Sequence, residues 1–161
     1  MTPDAKTQLV KSIAREIGVD LVGVAHAAPL PRARYYREWV ASGYGGTMSY
    51  LGRNIEIRED PARILPGARS VVCVALSYRR LDGFVRGSSQ RAEVLAAESD
   101  DAIGVIAQYA RGRDYHRVMR QMLRELVRRL RGRLSESFDA RVCVDTAPVL
   151  ERELAAAAGL G

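Results

Sequence analysis

The sequence predicts an α+β fold: one domain spanning residues 1–161, with a small central sheet flanked by helices. Three observations carry that reading. Short apolar runs at 21–25 and 70–78, the second rich in β-branched residues, read as buried strands. Several longer segments repeat their apolar residues at helical spacing. Strands and helices also mix without the regular alternation of a doubly wound sheet. A chain of 161 residues, 47% hydrophobic and 27% charged, is ordinary for one globular unit.

Thr2-Pro3 starts the first helix, with a hydroxyl cap followed by proline at the first helical position. Leu9, Val10, Ile13, Ala14 and Ile17 form its apolar stripe, and Gly18 ends it. The run 21–25 is the first strand. Pro31 opens a second helix through Trp39-Val40, ending at Gly43, and 43–46 must make a tight connection. A short helical piece covers 48–53, and Asp60-Pro61 starts another that stops near Pro66-Gly67. The run 70–78 is the clearest strand, apolar on both faces. Residues 79–101 are polar and irregular, as in a surface loop or functional flap. A further strand is expected at 103–109. Asp114 or a neighbour then caps a long basic helix whose apolar face runs from Tyr115 to Leu134. A last strand is expected at 140–144, with Asp145-Thr146 at its end, and Pro148 opens a final helix over 149–158, closed by Gly159.

No apolar run approaches the ~20 residues needed to span a bilayer, and Met1 to Lys6 lacks the basic and apolar regions of a signal peptide. A cytoplasmic protein without a membrane partner is expected. Cys73 and Cys143 each lie in an apolar run and read as small buried hydrophobes, too few to hold zinc or a cluster alone. The charge is more telling. Net charge is +6, yet residues 111–133 hold nine arginines against Asp114 and Glu125, or +7, leaving about −1 for the rest. Arg117, Arg120, Arg124, Arg128 and Arg131 recur every three or four residues. Such concentration suits a polyanionic partner, although a solvated helix face would carry the same pattern.

Motif searching finds no phosphate loop with its lysine, no His-Glu-x-x-His, no Gly-x-Ser-x-Gly and no paired-cysteine site. His26, just after a strand, reads as a packed or solvent-facing residue. Two stretches remain. Residues 109–116, Tyr-Ala-Arg-Gly-Arg-Asp-Tyr-His, gather aromatic, basic and acidic groups at a strand-to-helix junction, which suits an anionic or amide-bearing ligand. In 144–152, Val-Asp-Thr-Ala-Pro-Val-Leu-Glu-Arg, Asp145 ends a buried strand before a helix. It is either a cap-like structural residue or a partly desolvated acid whose raised pKa would let it hold a proton near neutral pH.

These two stretches, with 158–161 (Ala-Gly-Leu-Gly), closely resemble the epoxyqueuosine reductase family. Upstream, 46–51 (Gly-Thr-Met-Ser-Tyr-Leu), 58–61 (Arg-Glu-Asp-Pro) and 65–72 (Leu-Pro-Gly-Ala-Arg-Ser-Val-Val) are similar to the same family in the same order. The resemblance covers the chain except 79–101.

The resemblance implies reduction of epoxyqueuosine to queuosine in tRNA, the last step of queuosine synthesis. It implies a cobalamin in this N-terminal domain and two [4Fe–4S] clusters in a following ferredoxin-like domain, whose cysteines are absent here, so this chain is expected to be a truncated or fragment form that needs an outside electron donor. Asp145 is the implied proton donor, and Arg58, Ala107 and Asp145 the implied cobalamin contacts. The fold is similar to flavin nitroreductase and cobalamin-processing domains. The basic helix, through Arg117, Arg120, Arg124 and Arg128, would meet tRNA, and a monomer is expected. A non-catalytic cobalamin- or tRNA-binding module is the alternative, and a nitroreductase-type flavin enzyme a more distant one.

Overall fold

A computed structural model describes residues 1–78, 107–110 and 112–161. Its elements are α1 (Pro3–Glu16), β1 (Leu21–His26), α2 (Ala33–Ala41), α3 (Ile55–Glu59), β2 (Ser70–Ala75), α4 (Tyr115–Arg133) and α5 (Glu151–Ala157), with single 3₁₀ turns at Ser49–Gly52, Pro61–Arg63 and Gln108–Ala110.

Local chemistry explains most of the boundaries. The Thr2 hydroxyl accepts the Ala5 N–H at 3.2 Å, and Gly18 leaves α1 with φ +90, a backbone angle that side-chain-bearing residues avoid. Asp60 accepts the Ala62 N–H at 3.0 Å and so starts the Pro61–Arg63 turn. Asp114 caps α4 by accepting the His116 N–H at 3.0 Å.

β1 and β2 pair antiparallel, with Val22 opposite Val74, Gly23 opposite Cys73 and Val24 opposite Val72. Successive residues of a strand face opposite sides. Val22, Val72 and Val74 therefore turn to the core formed by Ile13, Ala14 and Val19 with Leu126 and Leu130 of α4. Gly23 and Cys73 turn the other way, and Ala158, just after α5, closes on Gly23. The sheet thus lies between the α1–α4 pair and α5.

Three expectations change, and a fourth, the flap at 79–101, lies outside the described residues. The strand expected at 140–144 joins no ladder among the described residues, although Val144 is buried; without a partner strand an extended run cannot form a sheet. Of the strand expected at 103–109, 103–106 lie outside the described residues, Ala107 is irregular and 108–110 form a 3₁₀ turn. The final helix starts at Glu151, capped from Leu150 without a side-chain bond, instead of at Pro148.

Candidate active site

α4 and the segment after Val144 create the site together. At the start of α4, Asp114 folds back on the helix and also sets its Oδ1 2.8 Å from His116 Nδ1. The other ring nitrogen, Nε2, lies 3.1 Å from Asp145 Oδ2, and the Tyr115 hydroxyl donates to that same oxygen at 2.9 Å. The Tyr115 and His116 rings stack with centroids 4.0 Å apart. Asp145 itself sits in the left-handed region at φ +57, uncommon for a residue other than glycine and more often tolerated by Asp and Asn. Its N–H donates to Glu151 Oε1 at 2.9 Å, tying it to the first turn of α5.

Charge follows from these contacts. Both imidazole nitrogens face carboxylates, and only an imidazolium can donate at both. Asp114 first, then Asp145, holds the His116 pKa above its ordinary value. The Tyr115 hydroxyl first and His116 second pull Asp145 below the usual carboxylate range. His116 likewise lowers Asp114, and the Asp145 carboxylate raises the Tyr115 phenol.

Asp145 is therefore neither of the things the sequence alone suggested. It caps no helix, because its side chain accepts from Tyr115 and His116 while its N–H donates away. Nor is it a desolvated acid, since 58% of its side chain is open to solvent and the carboxylate is stabilised.

The rings extend beyond this pair. Tyr109 meets Tyr115 edge-on at 5.8 Å, and Tyr78 meets Tyr109 at 6.2 Å, with Tyr78 and Tyr109 both exposed. Arg58 stands apart, in the last turn of α3, with its guanidinium 5.8 Å from the Tyr36 ring. Its Nε is buried and has no hydrogen-bond partner among the described residues, an arrangement that disfavours the free state and suits a polar ligand group. Ala107 is exposed and its carbonyl accepts the Ala110 N–H at 2.9 Å. No hydrogen bond or ion pair joins Arg58 to the Asp145 cluster among the described residues.

The arginines of α4 divide. Arg117 and Arg124 are exposed, whereas Arg120 reaches the Thr146 hydroxyl at 3.5 Å. Arg128 and Arg129 share Glu125, at 2.6 and 2.7 Å, and together pull its pKa down to about 2. Arg124, Arg128, Arg131 and Arg141 line an open groove of about 560 Å³. Arg141 carried no periodic signal that sequence reading could use. Tyr115 and His116 lay inside a recognisable stretch, but nothing local pointed them at Asp145, 29 or 30 positions away.

Comparison with known proteins falls on the same segments. Residues 58–146 match the family described as Epoxyqueuosine reductase QueG, DUF1730. An epoxyqueuosine reductase of Pseudomonas aeruginosa is 32% identical over 159 residues, which is 99% of this chain and 41% of that protein. One from Cyclobacterium marinum is 36% identical over 164 residues, 99% of this chain and 47% of that protein. The chain thus spans less than half the length of these relatives. Among solved structures, a selenomethionine-labelled epoxyqueuosine reductase superposes with a TM-score of 0.71 at 27% identity, covering 98% of this chain and 39% of that one. Two more share the fold at 24% identity. One is an epoxyqueuosine reductase with an epoxyqueuosine-modified tRNA-Tyr stem loop, with a TM-score of 0.64 over 94% of this chain and 37% of that one. The other is the Bacillus subtilis epoxyqueuosine reductase with an aspartate-bearing catalytic loop swung out of the active site, with a TM-score of 0.62 over 98% and 38%.

Proposed function

This chain belongs to the epoxyqueuosine reductase QueG, DUF1730 family, and from that membership we propose that it carries the proton-donor side of the reduction of epoxyqueuosine to queuosine in tRNA. The observation that carries the reading is Asp145: an exposed carboxylate held by two side chains at the tip of a loop with φ +57. Non-glycine residues in that conformation cost of order 1–3 kcal/mol and persist where the surroundings over-determine them, as at reacting sites. An aspartate-bearing loop is also the catalytic loop of the Bacillus subtilis relative.

The reaction takes two electrons and two protons, opens the epoxide to an alkene and releases its oxygen as water. Cobalamin, when bound, would supply the low-potential cobalt that delivers the electrons. The chain's own residues would do the rest. Arg58 offers a buried Nε, without a partner among the described residues, as a donor to a polar group of the cofactor, and Ala107 an exposed stretch of backbone. Tyr109 and Tyr115 present ring faces and edges to which a flat ligand can stack. Asp145 gives a proton to the epoxide oxygen as its first bond to carbon breaks, leaving a neutral hydroxyl, and a second proton, drawn from water, lets that hydroxyl depart as water. The electron donor and the tRNA are partners of this reading, and a relative solved with a modified stem loop supports the second.

The test has two arms. Cobalamin added to the purified chain is expected to change its visible spectrum and to survive desalting, with Arg58→Ala weakening retention. With reductant and a modified stem loop, Asp145→Asn is expected to abolish turnover while retaining the corrinoid. No retained corrinoid, or an Asp145→Asn protein as fast as the parent, overturns the reading.

A further inference from the structure

Asp145 carries a further requirement if it is the proton donor. A general acid must hold a proton at the moment of transfer. Yet this carboxylate is mostly exposed and accepts two hydrogen bonds at one oxygen, which favours its ionised form. A neighbour that already holds a proton can reload it without waiting for one from solvent.

Among the described residues, two neighbours touch Oδ2. The Tyr115 phenol is a poor source, because the adjoining carboxylate makes it harder to ionise. His116 is the other, with Nε2 3.1 Å from Oδ2. Asp114 takes Nδ1 at 2.8 Å, which leaves Nε2 alone to serve Asp145 and fixes the ring's rotation. The stack against Tyr115 at 4.0 Å fixes its plane.

We propose that His116 is a positioning residue that reloads Asp145: the Asp114–His116–Asp145 chain stores a proton on the imidazole and passes it to the carboxylate as the substrate oxygen leaves. The inference rests on Asp145 being the donor. The balance is simple. The Nε2–H bond breaks and an O–H bond forms at Asp145. That proton then goes to the departing oxygen, and the carboxylate is again an anion. His116 remains neutral with its Nδ1–H held by Asp114, and regains a proton from water, to which 27% of its side chain is open.

Among the described residues, the other charged groups near the chain do not compete for this role. On α4, Arg120 lies close enough to Asp114 to favour its anion. From α5, Glu151 binds the Asp145 backbone and opposes ionisation of Tyr115, as does Tyr109. The sign of the pH dependence follows. Asp114 and Asp145 ionise below their ordinary values, and His116 keeps its proton above its own. The loaded chain exists between those limits and empties as pH rises through the His116 value.

His26 and His116 are the only histidines, so ring-nitrogen NMR of the whole chain can follow each through a titration. His116 is expected to titrate above the unperturbed ~6.5, and both Asp114→Asn and Asp145→Asn to lower it. In turnover of a modified stem loop by corrinoid-loaded protein, His116→Gln keeps a donor near Oδ2 but cannot store a proton. It is expected to slow the reaction about 10-fold or more, within reach of general-acid effects of ~10²–10⁴, and to remove the alkaline fall in rate. A His116 that titrates at ~6.5 and ignores Asp145→Asn overturns the relay by NMR alone, whatever the variants' activity. A His116→Gln protein with the parental rate and pH profile, beside an inactive Asp145→Asn, overturns the relay and leaves the donor standing. An active Asp145→Asn overturns the donor itself.

Discussion

Replacing Gly23 with alanine tests the packing that holds the site's loop in place. Gly23 lies in the middle of β1, outside the left-handed region, so its backbone accepts any residue. In an open strand the change would stabilise, because glycine there costs roughly 0.5–1 kcal/mol relative to alanine. Here the added Cβ would stand 2.9 Å from the Ala158 Cβ and 3.1 Å from the Ala158 carbonyl carbon, and still closer to that carbonyl's oxygen. The obstruction is largely backbone, so relief requires α5 to lift off the sheet. Overpacking of this kind costs about 1–3 kcal/mol, and the backbone contact puts this case at the upper end. After the gain is subtracted, Gly23→Ala should destabilise by about 2 kcal/mol. At ~2–4 °C per kcal/mol for a chain of this size, Tm should fall by about 4–8 °C in a thermal melt followed by circular dichroism. Adding Ala158→Gly removes the Cβ contact but leaves the carbonyl, so it should restore only part of the loss. A Gly23→Ala protein as stable as its parent, or more stable, would refute the close packing of α5 on β1. The consequence reaches Asp145, because lifting α5 also moves Glu151 from the Asp145 N–H.

Two further predictions address the core and the basic helix. Leu126 is 3% exposed against α1, so Leu126→Ala should cost about 2–5 kcal/mol through reduced burial and a residual cavity. Urea unfolding should show a lower midpoint at unchanged slope, and a loss under ~1 kcal/mol would mean the core is not packed as described. Glutamate at Arg117, Arg120, Arg124 and Arg128 should weaken binding of a tRNA anticodon stem loop and flatten its salt dependence, by roughly 0.7–0.9 in log–log slope for each phosphate no longer neutralised. Arg128 already shares Glu125 with Arg129, so its reversal should matter less than that of Arg124. Binding that ignores both salt and these changes would remove tRNA from α4.

What could be read in advance was whatever local chemistry decides. Thr2-Pro3 and Gly18 bound α1 because capping and positive φ are short-range demands. Asp114 starts α4 for the same reason, and the apolar stripe of that helix does meet α1. α3 was not legible: it follows Asn54 at φ +56 with no side-chain cap, and its five residues are too few to show a period. The run 140–144 has strand composition but no partner among the described residues, and composition cannot supply one. Asp145 stands out in the sequence, but its setting does not. Its position before a helix suggests a cap or a buried acid, whereas its partners come from α4.

That pairing has a geometric cause. α4 runs 19 residues, and at ~1.5 Å per residue it carries the chain about 28 Å from Tyr115. Residues 134–144 then return without helix, and at up to ~3.3 Å each they can reach about 36 Å. The return is long enough to travel the full length of the helix with a little slack. It therefore brings the residue after Val144 back to where α4 began. Buried Val144 anchors the end of that path, and Asp145, in the left-handed region, presents its carboxylate to Tyr115 and His116. On this reasoning the length of 134–144 is a determinant of the site. Inserting two residues near Ser137 should preserve α4 and its core contacts yet uncouple Asp145 from His116. The His116 ring would then titrate lower, as in Asp145→Asn, beyond whatever Tm is lost from displacing Phe138, which packs on the core. An insertion that leaves the His116 titration untouched would show that the turn at 145–151, and not the length of the return, positions the acid.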